Sequence, residues 1–167
     1  SRLLEFAPPD LWALLWSNPG EERSCWFPAD DWTAALDYAE RYTGQRDLYV
    51  GTYLTTKNLG PKRRGFEQDA AALLGLHADL DVADPVHKKE HLPPPFADAE
   101  GLITELGAPP TMLVHSGHGL QAWWLFREPW LLESDVERLA AKTLLGQFQA
   151  SLRLLAGAAR FDVVPNP

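Results

Sequence analysis

Two like charges lie close together inside an apolar segment of this chain. In residues 73–84 (LLGLHADLDVAD) the apolar side chains predict a buried strand, yet Asp79 and Asp81 stand two positions apart within it. Side chains two apart on a strand share a face, and burying unpaired charges there is costly. A divalent cation such as Mg²⁺ or Mn²⁺, which prefers carboxylate oxygens, would relieve the repulsion. An arginine or lysine partner would do the same, and the pair alone leaves both interpretations open.

A second group of residues with chemical potential is the sequence SGHG at positions 116–119. It falls between two expected strands, where the backbone N–H groups of a tight turn can bind an anion. Ser116 adds a hydroxyl donor, and His118 can add a positive charge. An ordinary glycine turn with a surface histidine accounts for the same residues, and it is the better interpretation of this motif taken alone.

Two further features gain meaning beside these motifs. Asp162 follows the last long helix in the segment ARFDVV, and it could complete a cradle of three carboxylates for two metal ions. Such a cradle serves in-line phosphoryl transfer. The loop at residues 57–64 contains no acidic residue and could hold triphosphate or template phosphates, the alternative being a solvated surface loop. Its four cations are Lys57, Lys62, Arg63 and Arg64.

The elements that must position these residues follow from periodicity and turn residues. Helical patterns cover residues 10–16, 30–44, 97–106 and 134–156. Strand patterns cover residues 24–28, 47–54, 74–82, 111–115 and 120–126. Ser134 and Glu137 predict a capping box at the start of the last helix, and the three consecutive prolines in residues 84–96 predict a loop. One mixed α/β domain over residues 1–167 is the expected result.

Composition narrows the class of protein. With 46% hydrophobic and 11% aromatic residues in 167, the chain is expected to fold. Cys25 is the single cysteine, which excludes an intrachain disulfide and a cysteine-based zinc site. No apolar run approaches the roughly 20 residues of a membrane span, so a cytoplasmic protein without a membrane partner is expected. A net charge of −8 disfavours a general nucleic-acid coating protein more than an enzyme with a local basic surface.

The order of the motifs resembles the archaeo-eukaryotic primase superfamily. More narrowly, it is similar to the primase-polymerase domains of phages, plasmids and mobile elements. The resemblance covers about residues 45–165 and rests on GLHADLDV, SGHGLQAWW and the upstream basic sequence NLGPKRRG, followed by RFDVV. It implies an α+β fold, in which an RRM-like, mostly antiparallel sheet is flanked by helices and preceded by an N-terminal α/β unit.

The resemblance also implies roles for individual residues. The catalytic carboxylates that would ligate Mg²⁺ or Mn²⁺ are Asp79, Asp81 and Asp162. The residues that would contact the incoming nucleotide are Ser116, Gly117, His118, Gly119 and Gln121, together with Lys62, Arg63 and Arg64 of the basic loop. The residues that would contact the template are Lys57 and Asn58.

Two features depart from the family pattern. The family commonly has a histidine where this chain has Gln121, and glutamine can donate a hydrogen bond to phosphate but cannot supply positive charge. His118, three residues earlier, could compensate. The family also continues past its third acidic motif with an arginine-containing segment, whereas this sequence stops at Pro167. A fragment of a longer protein is therefore expected.

The implied function is that of a nucleotidyltransferase, a primase or a DNA polymerase, working on a single-stranded DNA template. Two metal ions would assist deprotonation of the 3′-hydroxyl and stabilise the departing pyrophosphate. The expected partners are the template, ribonucleoside or deoxynucleoside triphosphates, and a fused or associated helicase.

Three alternatives remain open at the level of sequence. A non-catalytic replication-initiator module on the same fold would bind DNA without using the aspartates, and a metal-dependent nuclease would use the same carboxylates. The third is a zinc peptidase, because His87, Glu90 and His91 spell the inverted zincin motif H-x-x-E-H. That motif needs a helix, and here it follows Asp84-Pro85 and runs into three prolines, which disfavours it.

Overall fold

The computed structural model describes residues 10–18, 23–83 and 96–158. Within them the chain forms seven strands and three α-helices, so the fold belongs to the α+β class. A 3₁₀ turn at Glu67–Asp69 directly precedes the 12-residue strand Ala70–Asp81. In chain order the elements are β1 (Trp12–Asn18), β2 (Arg23–Pro28), α1 (Trp32–Tyr42), β3 (Asp47–Val50), β4 (Tyr53–Thr55), β5 (Ala70–Asp81), α2 (Phe96–Glu105), β6 (Met112–His115), β7 (Gly119–Leu131) and α3 (Asp135–Ala158).

All seven strands belong to one sheet. Its order is β2-β1-β4-β5-β7-β6, and β3 pairs with β1 beside this path. The pairings of β1 with β2, β3 and β4, of β4 with β5 and of β6 with β7 are antiparallel. The expected α+β fold with a mostly antiparallel sheet is confirmed. Among the helices that the structure describes, none combines the length and the apolar character needed to cross a membrane.

The chain divides into two compact units. Of the described residues, those up to Leu74 and the segment Phe126–Glu137 form the first unit. The described residues between Gly75 and Leu125, and those from Arg138 onward, form the second. Strands β5 and β7 therefore contribute residues to both units.

The first unit is built around β1, which pairs with β2 and β3. Cross-strand partners share a face, so Trp16 lies beside Tyr49 of β3, and Leu14 lies beside Trp26 of β2. Helix α1 packs on the opposite face, where the rings of Phe27 and Tyr38 are 5.6 Å apart. The apolar core of this unit consists of Leu11, Ala13, Ala29, Leu54, Ala72 and Leu74.

The second unit contains the β6–β7 hairpin and the C-terminal half of β5. The hairpin pairs Met112 with Trp123 and His115 with Leu120. Helix α2 covers one face of these strands and leaves the alternate side chains on the other face. The core under α2 consists of Leu80, Val82, Ala99, Ile103, Leu120 and Ala122.

The predicted capping box at the start of α3 is confirmed. The Glu137 Oε2 atom accepts hydrogen bonds from the backbone N–H groups of Glu133 and Ser134, both at 2.9 Å. In return, the backbone N–H of Glu137 donates to the Ser134 hydroxyl oxygen at 3.2 Å. These bonds satisfy backbone groups that have no partner within the helix.

Two element predictions are wrong. The segment at residues 10–16 was expected to be a helix, but it forms most of β1. Its apolar residues satisfy either period, and antiparallel partners on both sides decide for the strand. The expected strand at residues 47–54 is two strands, interrupted where the Gly51 N–H donates to the Leu14 carbonyl at 2.8 Å. The predicted loop at residues 84–96 lies almost wholly outside the described residues.

Candidate functional site

Asp79 and Asp81 lie on one face of β5, near its C-terminal end. The residues between and beside them, Ala78, Leu80 and Val82, are buried. Leu80 and Val82 pack in the core under α2, so the alternation of a strand directs the two aspartates to the opposite face. Both aspartates are partly exposed. The two carboxylates thus share a face, as the sequence pattern predicts, and that face is partly solvated instead of buried.

The turn at residues 116–119 lies directly against the end of this strand. The backbone N–H of Val82 donates to the carbonyl oxygen of His118 at 3.1 Å. A Cβ atom at position 119 would lie 2.5 Å from the Leu80 carbonyl oxygen and 3.3 Å from the Cα of Asp81. Only glycine permits this approach of the two backbones. The first two acidic residues and the SGHG turn are therefore neighbours in space.

The turn itself is held closed by Ser116. Its backbone N–H and its hydroxyl both donate to the Gly119 carbonyl oxygen, at 2.9 Å and 3.1 Å. Gly117 has φ +96°, a value that glycine supplies readily at the first central position of a two-residue hairpin turn. His118 occupies the second central position and is exposed. In this arrangement the serine hydroxyl closes the turn, so it must rotate before it can donate to a ligand.

Gln121 lies beside Asp79 on the neighbouring strand. The contact of position 119 with Asp81 sets the register between β5 and β7. Counting two residues along each antiparallel strand places Gln121 opposite Asp79. Two residues further, the rings of His77 and Trp123 are 5.3 Å apart, in agreement with the same register. Gln121, where the primase-polymerase pattern commonly has a histidine, is thus adjacent to Asp79.

His77 shares a face with the two aspartates. Burial lowers the pKa of its imidazole, so the ring is neutral near pH 7. The Gln149 side-chain amide of α3 donates to the His77 carbonyl oxygen at 3.4 Å. The imidazole packs against Trp123 as an uncharged ring.

The start of the turn is tied to helix α2. The Nε2 atom of His115 lies 3.5 Å from a carboxylate oxygen of Glu100, and both side chains are about half exposed. An exposed pair of this kind contributes little to stability, but it helps to fix where β6 ends and the turn begins.

The donor set fits a hard divalent cation in type. Asp79 and Asp81 supply carboxylate oxygens, and the side-chain carbonyl of Gln121 is a further oxygen, which suits Mg²⁺ or Mn²⁺. Across residues 10–18, 23–83 and 96–158, no three His, Cys, Asp or Glu side chains gather closely enough to hold a metal ion. Asp162, the predicted third carboxylate, lies outside the described residues. The same holds for His87, Glu90 and His91 of the zinc-peptidase alternative.

The basic loop belongs to the first unit, and its backbone is held by side chains from two strands. The indole N–H of Trp26 donates to the carbonyl oxygens of Gly60 and Arg63, at 3.1 Å and 3.3 Å. The hydroxyl of Tyr53 donates to the Arg64 carbonyl oxygen at 3.4 Å. At the edge of β2 the Ser24 N–H donates to the Pro61 carbonyl oxygen at 3.0 Å. The loop therefore has a defined path over the sheet.

The polar and charged side chains of this loop are distributed differently from the sequence-based expectation. The Asn58 side-chain oxygen accepts from the Gly60 N–H at 2.8 Å, within the loop itself. Arg63 forms an ion pair of 3.3 Å with Asp69, and the Arg64 guanidinium lies 4.6 Å from the centre of the Trp16 ring. Lys57 and Lys62 are exposed. These residues form one cluster, and Asp79, Asp81 and residues 116–121 form another in the other unit.

The sequence motifs missed the residues that support the loop. Trp26 and Tyr53 lie 34 and 11 residues away from the loop atoms they bind. The sequence hints at these two residues only because each expected strand contains an aromatic side chain with a hydrogen-bond donor. A buried indole or phenol needs a hydrogen-bond partner.

No family model matches the sequence, and neither a curated protein nor a solved structure matches the chain. The resemblance to the primase superfamily therefore stays a prediction from the motifs and their order.

Proposed function

We propose that this chain is a metal-dependent nucleotidyltransferase that joins nucleotides on a single-stranded DNA template, as a primase or a DNA polymerase. The finer fold assignment, the catalytic core of the archaeo-eukaryotic primase superfamily, is part of the same proposal. The order of the sequence motifs supports both, together with the α+β fold.

One observation carries the proposal. The end of the strand with Asp79 and Asp81 is hydrogen-bonded to the SGHG turn through the Val82 N–H and the His118 carbonyl. Two sequence motifs that lie about 40 residues apart, one anionic and one suited to phosphate, are therefore adjacent. A metal–phosphate site needs this juxtaposition, because the cation must contact both protein carboxylates and the phosphates of the nucleotide.

Each residue has a defined task in this proposal. Asp79 and Asp81 hold the cations, with Asp162 as the proposed third ligand. His118 and Gln121 donate hydrogen bonds to the nucleotide's phosphates. Cations held by these carboxylates would supply Lewis-acid stabilisation for deprotonation of the primer 3′-hydroxyl and for the charge on the leaving pyrophosphate. The protein itself mainly positions the groups and supplies fixed dipoles.

The decisive experiment is template-directed extension of a labelled primer with Mg²⁺ or Mn²⁺. The full-length natural protein is used, of which residues 1–167 are all or part. We expect Asp79→Asn and Asp81→Asn each to reduce the extension rate by at least about 100-fold, since each removes a metal-binding charge without changing side-chain size. Asp37→Asn, at an exposed carboxylate on α1, is the matched control and should extend at the wild-type rate.

The extension assay, combined with a measurement of DNA binding, separates the alternative functions. A wild-type protein that binds DNA but extends nothing, with binding unchanged in both aspartate variants, would identify a replication-initiator module. Shortening of the labelled strand, lost in the aspartate variants, would identify a nuclease. Either result contradicts the proposal.

A further inference from the structure

The face of the first unit opposite α1 carries an aromatic cluster. The rings of Trp16 and Tyr49 are 4.9 Å apart on neighbouring strands. The Arg64 guanidinium lies over Trp16 at 4.6 Å, and the Arg63 guanidinium lies 5.9 Å from the centre of the Phe66 ring. Two consecutive residues of the basic loop, Arg63 and Arg64, therefore each lie over an aromatic ring.

The aromatic rings are more exposed than is usual for side chains of this kind. Tyr49 is 45% exposed and Phe66 is 62% exposed, although large apolar rings are normally buried for their favourable transfer free energy. The Trp16 ring is next to both the Arg64 guanidinium, which lies over it, and the Tyr49 ring, which is tilted by 48° to it. Tyr49 and Phe66 therefore offer ring surface to solvent.

Positive charge is concentrated at the same place. Lys57, Lys62, Arg63 and Arg64 fall within eight positions that contain no acidic residue, in a chain of net charge −8. The acidic residues close to this surface in sequence or structure include Asp69, which pairs with Arg63, and the exposed Glu67, which directly follows Phe66. Asp47 precedes Tyr49 by two residues on the same face of β3. Cations beside exposed rings suit a nucleic acid strand, which offers both phosphates and bases.

We propose that this surface, formed by Trp16, Tyr49, Arg64, Phe66 and Lys62, binds single-stranded DNA by stacking bases on Tyr49, Phe66 and the Arg64 plane. The inference rests on the proposed function, in which the bound strand is the template. In this inference Lys62 and Arg64 contact the phosphates and bases of the DNA strand. The sequence resemblance instead implied contacts with the incoming nucleotide. The inference also adds three aromatic residues that the motifs do not contain.

The chemistry favours a single strand over the other anionic partners. In a duplex the base faces are stacked on each other, so exposed rings would find no partner and phosphate contacts alone would remain. An acidic peptide would use the cations but not the rings. Stacking on aromatic side chains is tolerant of sequence, because every base has a π-face.

Binding of a fluorescein-labelled oligothymidine of about 20 nucleotides, longer than one binding module occupies, tests the inference by fluorescence anisotropy without metal. We expect Tyr49→Ala and Phe66→Ala each to raise the Kd by about 5- to 100-fold. Phe66→Trp retains a stacking ring and should bind at least as tightly as the wild type. A duplex of the same length should bind more weakly, and Phe66→Ala should not change its affinity.

Salt dependence distinguishes stacking from charge. Arg64→Ala and Lys62→Ala should each reduce the slope of log affinity against log salt by about 0.7, the value for one lost phosphate contact on a single strand. Phe66→Ala should lower the affinity and leave the slope unchanged. Controls on α1 are Trp32→Ala, which removes a ring of similar exposure at 43%, and Arg41→Ala, which removes an exposed cation.

The inference is overturned if both ring deletions leave the Kd within about twofold of the wild type, or if the α1 controls weaken binding equally. Circular dichroism and thermal unfolding show whether each variant folds. If Tyr49→Ala does not fold, the Kd of Phe66→Ala alone tests the inference. Primer extension separates this inference from the proposed function. If Phe66→Ala extends primers normally with an unchanged template KM, the inferred DNA-binding surface is wrong, and the proposed function still stands. Weakened DNA binding in a protein that extends no primer would support the surface and overturn the proposed function.

Discussion

Gln121 is the residue at which this chain differs most informatively from the primase-polymerase pattern, and it lies opposite Asp79 across β5 and β7. A glutamine amide can donate a hydrogen bond to a phosphate, but it brings no positive charge to balance one. Exposed His118, at the turn, is the nearest side chain in sequence that can carry such a charge. The phosphate side of the proposed site therefore has fewer cationic groups than the family pattern supplies.

Replacing this glutamine tests that deficit. We expect Gln121→His to lower the KM for nucleoside triphosphates by about 3- to 10-fold, because charge-assisted hydrogen bonds are about twice as strong as neutral ones. The effect should grow as the pH falls toward the ordinary pKa of histidine. Steady-state extension kinetics between about pH 6 and 8 measure it. An unchanged KM at the lower pH would show that position 121 does not contact the phosphates.

A second single-residue prediction concerns Gly119 and the stability of the fold. A Cβ there would lie 2.5 Å from the Leu80 carbonyl oxygen, so Gly119→Ala should reduce the free energy of unfolding by about 1–3 kcal/mol through overpacking. Gly101→Ala is the control, since a Cβ at that position meets nothing within 4 Å and alanine favours a helix by about 0.5–1 kcal/mol. Urea denaturation of the two variants should therefore give shifts of opposite sign.

At the scale of elements, the basic loop depends on the strands beneath it. Tyr53 of β4 donates its hydroxyl to the Arg64 carbonyl. Burial, followed by the nearby Asp69 carboxylate, raises the pKa of this phenol above its ordinary value of 10.0. The folded protein therefore holds the proton to higher pH than the unfolded chain does. The resulting stabilisation is fully present below pH 10 and is lost as the pH rises through the folded-state pKa.

The raised pKa of Tyr53 predicts how stability changes in alkaline solution. Between about pH 9 and pH 11, the free energy of unfolding of the wild type should fall more steeply than that of Tyr53→Phe, which has no proton to lose. Some fall should persist in the variant, because burial also raises the pKa of Tyr38. Urea denaturation at the two pH values measures both slopes. Equal slopes would show that Tyr53 ionises equally readily in the folded and unfolded chains.

The elements also show what sequence patterns can and cannot predict. The β6–β7 hairpin, the capping box of α3 and the shared face of Asp79 and Asp81 depend on neighbouring residues, and periodicity and turn chemistry predicted them. The segment at residues 10–16 satisfies both periods, so its strand state depends on partners elsewhere in the chain. The same is true of the register that places Gln121 opposite Asp79, and of the bonds from Trp26 to the basic loop. Long-range pairing decides these features, and no local pattern encodes it.

At the scale of the whole molecule, the proposed metal site has a global signature. A ligand that binds only the folded protein stabilises it by mass action, by about 2.7 kcal/mol at 100 times its Kd. We expect Mn²⁺ at that concentration to raise the Tm of the wild-type protein by about 5–10 °C, at roughly 2–4 °C per kcal/mol for a chain of this size. The same addition should leave the Tm of the Asp79→Asn/Asp81→Asn double variant unchanged. Calorimetry with Ca²⁺-free buffers measures both, and equal shifts would place metal binding elsewhere.

Net charge acts at this scale as well. The overall charge of −8 repels nucleic acid at a distance, while the cations of residues 57–64 attract it locally. Attraction of this kind orients an approaching strand toward one part of the surface. Raising the salt concentration screens both contributions.

The indole of Trp26 holds two carbonyl groups of the basic loop before any ligand arrives. A segment that is ordered in advance loses little conformational entropy when it binds. Association at this surface should then proceed as a rigid-body encounter, with a rate set by diffusion and electrostatic steering and without a slow loop-closing step. In the proposed complex, Trp26 therefore affects the association rate through the loop that it orders, and it is not one of the proposed contact residues.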